Sequence, residues 1–241
     1  MTQSFSDNED MSFLKDNLQR VKENIAEALI KSGRAENDAR LMAVTKTVKP
    51  GYINYMLDAG VDLIGENKVQ ELLSKLEFLR APLPEMHIIG HLQSNKVRKI
   101  IDVVSMIQSV DSVSLASEIS RQAELHRVTA DVLLEVNIGD EESKTGLPQE
   151  LLREAAAEIS QMKGICIKGL MCVPPICESD AEARRYFEKT RRLFEDLKGS
   201  LEDKNSFSVL SMGMSGDYVP AILEGATLVR VGSALFGRRV Y

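Results

Sequence analysis

Two hydrophobic rhythms alternate along this chain. Residues 12–32 place Phe13, Leu14, Leu18, Val21, Ile25, Ala28 and Leu29 at helical spacing. That predicts an amphipathic helix with Ser12 as its N-cap and Gly33 as its stop. From residue 41 onward, short runs rich in Val, Ile and Leu recur at 41–46, 61–67, 86–90, 103–109, 130–138, 166–171, 207–210 and 227–231. Helix-spaced stretches lie between the runs, at 50–59, 68–80, 95–101, 112–126, 148–162 and 180–197. The runs are almost continuously apolar, as strands buried on both faces of a parallel sheet are.

Eight such strands alternating with helices, in 241 residues, predict an α/β fold. The chain is close to the ~250 residues of a (β/α)8 TIM barrel. An open doubly wound sheet is the competing architecture, and eight units with no break in composition favour closure. The expected organisation is a polar tail at 1–11 and one barrel domain at 12–241, with the first helix added before strand 1.

Composition narrows the function. The chain is 44% hydrophobic and 27% charged, with a formal charge of −6 and no basic block. Nucleic acid is therefore not expected as a partner, because binding its phosphates needs clustered Lys and Arg. No apolar run is long enough to span a bilayer, and the start MTQSFSDNEDMS is polar and acidic, so a cytoplasmic protein is expected. Cys166, Cys172 and Cys177 show no CxxC spacing and read as buried or incidental thiols. His87 and His91 lack the helical context and the glutamate of a zinc site, so no metal is expected.

The candidate chemistry lies at strand ends. The runs at 207–210 and 227–231 hand over to the turns SMGMSGD and GSALFG. Small residues that present backbone N–H groups at a helix start suit a phosphate. In a barrel these turns follow strands 7 and 8, where phosphate sites commonly lie. Lys46 closes the run LMAVTK, and period-two alternation puts it on the same side as Met42 and Val44. A lysine whose stem shares an apolar lining is partly desolvated, which makes the neutral amine available to attack a carbonyl. A phosphate with an aldehyde-reactive lysine points to pyridoxal 5′-phosphate, PLP; a solvated loop lysine is the alternative.

Other polar groups cluster at the same ends: Glu66 and Asn67, then His91, Gln93 and Asn95, then Asn137, with Met171 closing strand 6. Asn67 could meet a ring hydroxyl or cap the next helix. His87 could lie against a ring or be a satisfied core histidine. Lys144, in an acidic loop, reads as a solvated or mouth-gating charge.

AVTKTVKP, IGENKVQE, HIIGHLQSNK, the GLM of Gly169–Met171, SMGMSGD and RVGSALFG occur in that order. Together they resemble the pyridoxal phosphate homeostasis protein family, also called the proline synthetase co-transcribed family. The resemblance runs from about Leu41 to Gly237 and implies the barrel of fold-type III PLP enzymes such as alanine racemase. It implies that Lys46 carries PLP as a Schiff base. It implies that the Ser211 and Ser215 hydroxyls, the backbone of Met212 and Gly213, and the Gly232 and Ser233 amides hold the phosphate. Asn67 and Met171 complete the implied set. Arg230 matches the arginine that alanine racemases direct at the pyridine nitrogen, which would stay unprotonated beside a guanidinium. Cys172, after GLM, departs from the Thr or Ala usual there and could alter the ring face; Val219–Pro220 replaces more polar residues.

The implied function is a PLP-binding protein that stores, buffers or delivers the cofactor to apo-enzymes without robust turnover; with no apolar stripe beyond the barrel helices, a monomer is expected. Racemases of this fold take a second base from another domain, and only Arg238–Tyr241 follow Gly237. A racemase-like enzyme using a water, a histidine or Lys144 as the other base is the alternative. A phosphate-sugar barrel enzyme unrelated to PLP is a third reading.

Overall fold

Strand β1 (Arg40–Val44) pairs in parallel with both β2 (Leu63–Glu66) and β8 (Leu228–Val231), and that double pairing closes the sheet. The computed structural model describes residues 11–141, 145–200 and 206–237. Between β2 and β8 run β3 (Glu85–Ile88), β4 (Met106–Val110), β5 (Ala130–Val136), β6 (Ile165–Cys172) and β7 (Val209–Ser211), in sequence order around a closed barrel. The register Arg40↔Leu228 through Ala43↔Val231 rules out the open sheet.

The helices cover the outside in the same order. They are α1 (Ser12–Lys31), α2 (Pro50–Asp58), α3 (Val69–Leu76), α4 (Ser94–Val97), α5 (Val113–His126), α6 (Leu152–Ser160), α7 (Asp180–Ser200), α8 (Tyr218–Leu223) and α9 (Ser233–Phe236). Outward-facing strand residues such as Ile64, Ile88, Leu134 and Leu170 pack against them in the main core. Phe194 and Phe207 stack there with ring centroids 4.8 Å apart. Burying one such ring stabilises by roughly 1.5–3 kcal/mol. Among the described residues, no helix is long and apolar enough to cross a membrane.

Helix α1 buries Leu14, Leu18, Val21, Ile25, Ala28 and Leu29, the stripe its periodicity announced. It lies over α8 and α9, where Asn24 Nδ2 donates to Tyr218 Oη at 2.8 Å and Asn17 Nδ2 to the Leu235 carbonyl at 2.9 Å. The closing helices α8 and α9 are only six and four residues long, and α1 adds its apolar stripe over them.

Boundaries depart from expectation at several elements: α4 stops at Val97 and not Ile101, and β4 begins at Met106 and not Val103. Met11, not Ser12, occupies the N-cap of α1, and no side chain caps it. Strand β1 stops at Val44, so Lys46 lies in the turn beyond it. Helix α3 ends at Leu76 rather than near Arg80. The stretch after Pro148 opens as a 3-10 turn, Gln149–Leu151, before α6 begins. Ser112 does cap α5, accepting the Leu115 N–H at 3.3 Å. The expected tail at 1–11 falls almost wholly outside the described residues, as do Lys144 and Arg238–Tyr241.

The barrel interior is layered. Met42, Leu63 and Leu228, with Ile89 and Val209 against them, form a small apolar plug. Gly65 makes room for it: a Cβ there would strike Met42 Sδ. On β6 the register slips beside Gly169, whose φ is 153° and whose missing Cβ would strike the Val209 carbonyl. Only glycine fits that approach.

Candidate functional site

Above the plug, at the C-terminal ends of the strands, opens a cavity of about 640 Å3. That lies within the ~300–1,000 Å3 typical of small-molecule sites. Val44 ends β1 and Lys46 lies in the turn after it, while Asn67, Ile89 and Val173 directly follow β2, β3 and β6. Met214, Ser215 and Gly216 come from the turn after β7, and Arg230, Gly232 and Ser233 from β8 and its turn. Alternation along β1 thus puts Val44 and Lys46 on the cavity side, as their spacing predicted.

The two glycine turns are one unit. Ser215 Oγ accepts the Gly232 N–H at 3.0 Å and the Ala234 N–H at 3.2 Å, stitching the β7 turn to the β8 turn. The Arg230 N–H reaches back to the Gly213 carbonyl at 3.0 Å. Asp217 Oδ1 accepts the Met214 N–H at 2.5 Å and closes the first turn on itself. Burial pushes the Asp217 carboxyl above the ordinary range, against the pull of that N–H and of Arg230.

Arg230 is buried but borders the cavity. Its Nη1 donates to Ser211 Oγ at 2.7 Å and its Nη2 to the Cys172 carbonyl at 2.8 Å. Burial lowers its hold on its proton from the ordinary value, opposed by the nearby Cys172, Asp217 and Glu135. Behind it, Ser211 Oγ lies 2.7 Å from Gln108 Oε1, and Gln108 Nε2 lies 2.8 Å from His87 Nδ1. This polar thread runs down the barrel interior from the mouth to β3.

Of the candidate residues, Lys46, Asn67, Ser215, Arg230, Gly232 and Ser233 share the cavity wall. The others do not. Ser211 is fully buried with its hydroxyl committed to Arg230 and Gln108, so it supports the guanidinium instead of facing a phosphate. Met171 is buried beside it in register on β6, and Met212 belongs to the main core. Gly213 contributes its carbonyl to Arg230. Cys172 turns its thiol outward to Thr190 Oγ1 at 3.3 Å, so only its carbonyl faces inward and the expected contact with a ring face is lost. Burial pushes that thiol up to about 11.

His87 is a satisfied interior histidine, and Asn67 does not cap α3, whose N-cap is Lys68. His91 pairs with Asp111 at 2.9 Å, and Asn137 closes its own loop onto Glu141. The cavity also takes Ile89, Val173, Met214 and Gly216, which sequence reasoning did not single out. Gln108 was missed too, although a glutamine inside the apolar run 103–109 was its signal.

The donor set fits PLP. A primary amine stands just past the end of β1, and hydroxyls and backbone stand in the turns after β8, its neighbour, and β7 beyond it. Two cationic side chains, Lys46 and Arg230, line the cavity, which suits a ligand of negative charge.

Comparison with known proteins places the chain. The family model for the N-terminal domain of alanine racemase matches residues 17–240. A protein of Aquifex aeolicus called pyridoxal phosphate homeostasis protein is 42% identical over 93% of this chain and 97% of its own length. The chain belongs to the pyridoxal phosphate homeostasis protein family. A crystal structure of an unknown protein from Bifidobacterium adolescentis superposes with a TM-score of 0.90 at 38% identity, covering 97% of this chain and 98% of that one. The structure of PipY of Synechococcus elongatus with PLP bound gives 0.78 at 34% identity, covering 88% of this chain and 100% of that one. Family membership accounts for the barrel and for the ordered motifs that line its mouth.

Proposed function

We propose that this chain binds PLP in the mouth cavity and serves PLP homeostasis by storing, buffering or delivering the cofactor. The observation that carries the reading is that Lys46 and the Ser215–Gly232–Ser233 turn unit share one cavity wall. When bound, PLP supplies an aldehyde carbon open to a primary amine and a pyridine ring that withdraws electrons from it. Lys46 offers the amine. Ser215, Gly216 and Ser233 hold the phosphate end, while the Gly232 N–H, expected to face the phosphate, is spent on Ser215 Oγ and braces the turn instead; Asn67 meets the polar edge of the ring. Arg230 can only donate, so a guanidinium turned toward the ring nitrogen leaves that nitrogen without a proton. That weakens the ring as an electron sink and favours holding over turnover. The PLP-bound relative PipY supports the ligand.

The same reading makes the chain a cytoplasmic monomer that hands PLP to apo-enzymes. Its first test is the visible spectrum of the purified protein with PLP, before and after borohydride, beside Lys46→Ala. A band abolished by borohydride and missing in the variant is expected. A wild type that stays colourless with PLP overturns the reading. Transfer of bound PLP to an apo-enzyme then tests delivery, and efficient racemisation by the pure protein would refute storage without turnover.

A further inference from the structure

Lys46 sits in the short link between β1 and α2, where a side chain would ordinarily wander. The peptide groups on either side of it are nevertheless pinned. Lys75, buried on α3, spends its three N–H donors on three acceptors. These are the Thr45 carbonyl at 2.8 Å, Glu66 Oε1 at 2.7 Å and Glu71 Oε1 at 2.7 Å. Thr45 Oγ1 donates to the same Glu66 oxygen at 2.7 Å. The Thr47 N–H donates to Glu71 Oε1. The carbonyl before Lys46 and the amide after it therefore both end on one ion cluster.

Two features say that the cluster is more than a prop. Thr47 is held at φ 61°, a left-handed conformation that is an outlier for a β-branched residue and persists only where surroundings impose it. Two carboxylates share one ammonium, and Glu66 Oε2 is buried with no hydrogen-bond partner. An apolar replacement of a buried ion pair is often neutral or stabilising, so such a cluster is a poor device for stability alone. What it does supply is direction. Thr45 is tied to β2 and Thr47 to α3, beside Asn67 on the cavity wall.

We propose that Lys75 and Glu71 are positioning residues for Lys46, fixing the backbone on both sides of it so that its amine is presented to the carbonyl of the bound cofactor. This rests on the reading of Lys46 as the amine that captures PLP. Misplacing a reacting group by about 1 Å can cost on the order of 100-fold in rate, and the clamp prevents such drift.

The test separates presentation from binding. Pyridoxine 5′-phosphate carries an alcohol in place of the aldehyde, so its affinity reads the cavity alone. The rate at which PLP becomes fixed on Lys46 is read by borohydride quenching at successive times and mass analysis of the Lys46 peptide. Glu71→Ala removes the Thr47 anchor from a partly exposed position and leaves the Lys75–Glu66 pair in place. Expected in this variant are labelling of Lys46 slowed roughly tenfold or more, pyridoxine 5′-phosphate affinity within about twofold of wild type, and faster hydrogen exchange at the Thr47 amide. Glu71→Gln, whose amide oxygen still accepts that N–H, restores most of the rate. Lys75→Met gives a second slow variant, with thermal unfolding followed in parallel. Unchanged labelling in Glu71→Ala overturns the positioning role, as does labelling that falls only in step with pyridoxine 5′-phosphate affinity. A wild type that binds pyridoxine 5′-phosphate but takes no label on Lys46 overturns the reading of Lys46 itself, and the positioning role with it.

Discussion

Arg230 Nη1 lies 2.7 Å from Ser211 Oγ, and this one contact sets the direction of every hydrogen bond behind it. A guanidinium can only donate, so the Ser211 oxygen accepts and its single proton goes to Gln108 Oε1. The Gln108 amide nitrogen then faces His87, whose Nδ1 must accept. His87 is thereby the neutral tautomer with its proton on Nε2. Burial, with Arg40 adding to it and Glu85 opposing it, lowers that imidazole to about 4.

Replacing Ser211 by alanine leaves a buried guanidinium N–H and the Gln108 carbonyl without partners. An unsatisfied buried group costs about 1–3 kcal/mol. Urea denaturation of Ser211→Ala should show a loss in that range, together with weaker PLP binding as Arg230 loses its orientation. An unchanged midpoint would mean that Arg230 finds another acceptor.

His87 makes stability depend on acidity in a defined window. Its folded value, about 4, lies below the ordinary 6.5. Between these values the unfolded chain binds the extra proton, so stability is present above 6.5 and is lost as pH falls toward 4. From pH 7 to pH 5 the loss from this group is about 2 kcal/mol. Glu66 and Glu135, raised by burial, act in the opposite sense. The clean measurement is therefore the difference between wild type and His87→Asn in urea at the two pH values, with the variant losing less.

Gly65→Ala should destabilise by about 1–3 kcal/mol through overpacking. The new methyl would strike Met42 Sδ inside the plug. Shortening that side chain in Gly65→Ala/Met42→Val should recover part of the loss in thermal unfolding. Additive losses would place the strain elsewhere.

Asp217→Ala removes the acceptor that closes the turn carrying Met214, Ser215 and Gly216. The expected result is several-fold weaker affinity for pyridoxine 5′-phosphate with little change in the borohydride-sensitive PLP spectrum at saturation. Titration of both ligands checks it. Equal affinity in variant and wild type would show that Ser215, tied to Gly232 and Ala234, holds the turn by itself.

Much of this molecule was legible along the chain, for identifiable reasons. Strands buried on both faces leave continuous apolar runs, so all eight were visible before any contact was known. Period-two alternation from Met42 through Val44 carried Lys46 to the cavity side even though β1 ends two residues before it. The serine and glycine turns after β7 and β8 announced themselves by composition. Helix ends were less legible: α3 stops at Leu76 although helix formers continue beyond it.

Local sequence alone determined the order of elements, the strand faces and the amine at the end of β1, because propensity and periodicity act over a few residues. Tertiary structure alone decided how the polar groups were shared out. Ser211 and Ser215 look alike in SMGMSGD, yet one is spent inside the barrel and the other stitches two turns at its mouth. Ser211 meets Gln108 across 103 positions, and Lys75 reaches Thr45 across 30. Those partnerships exist only once β8 has closed onto β1 and α3 has packed against β2. A hydrogen bond requires two groups within about 3 Å, and closure of the barrel is what brings them there.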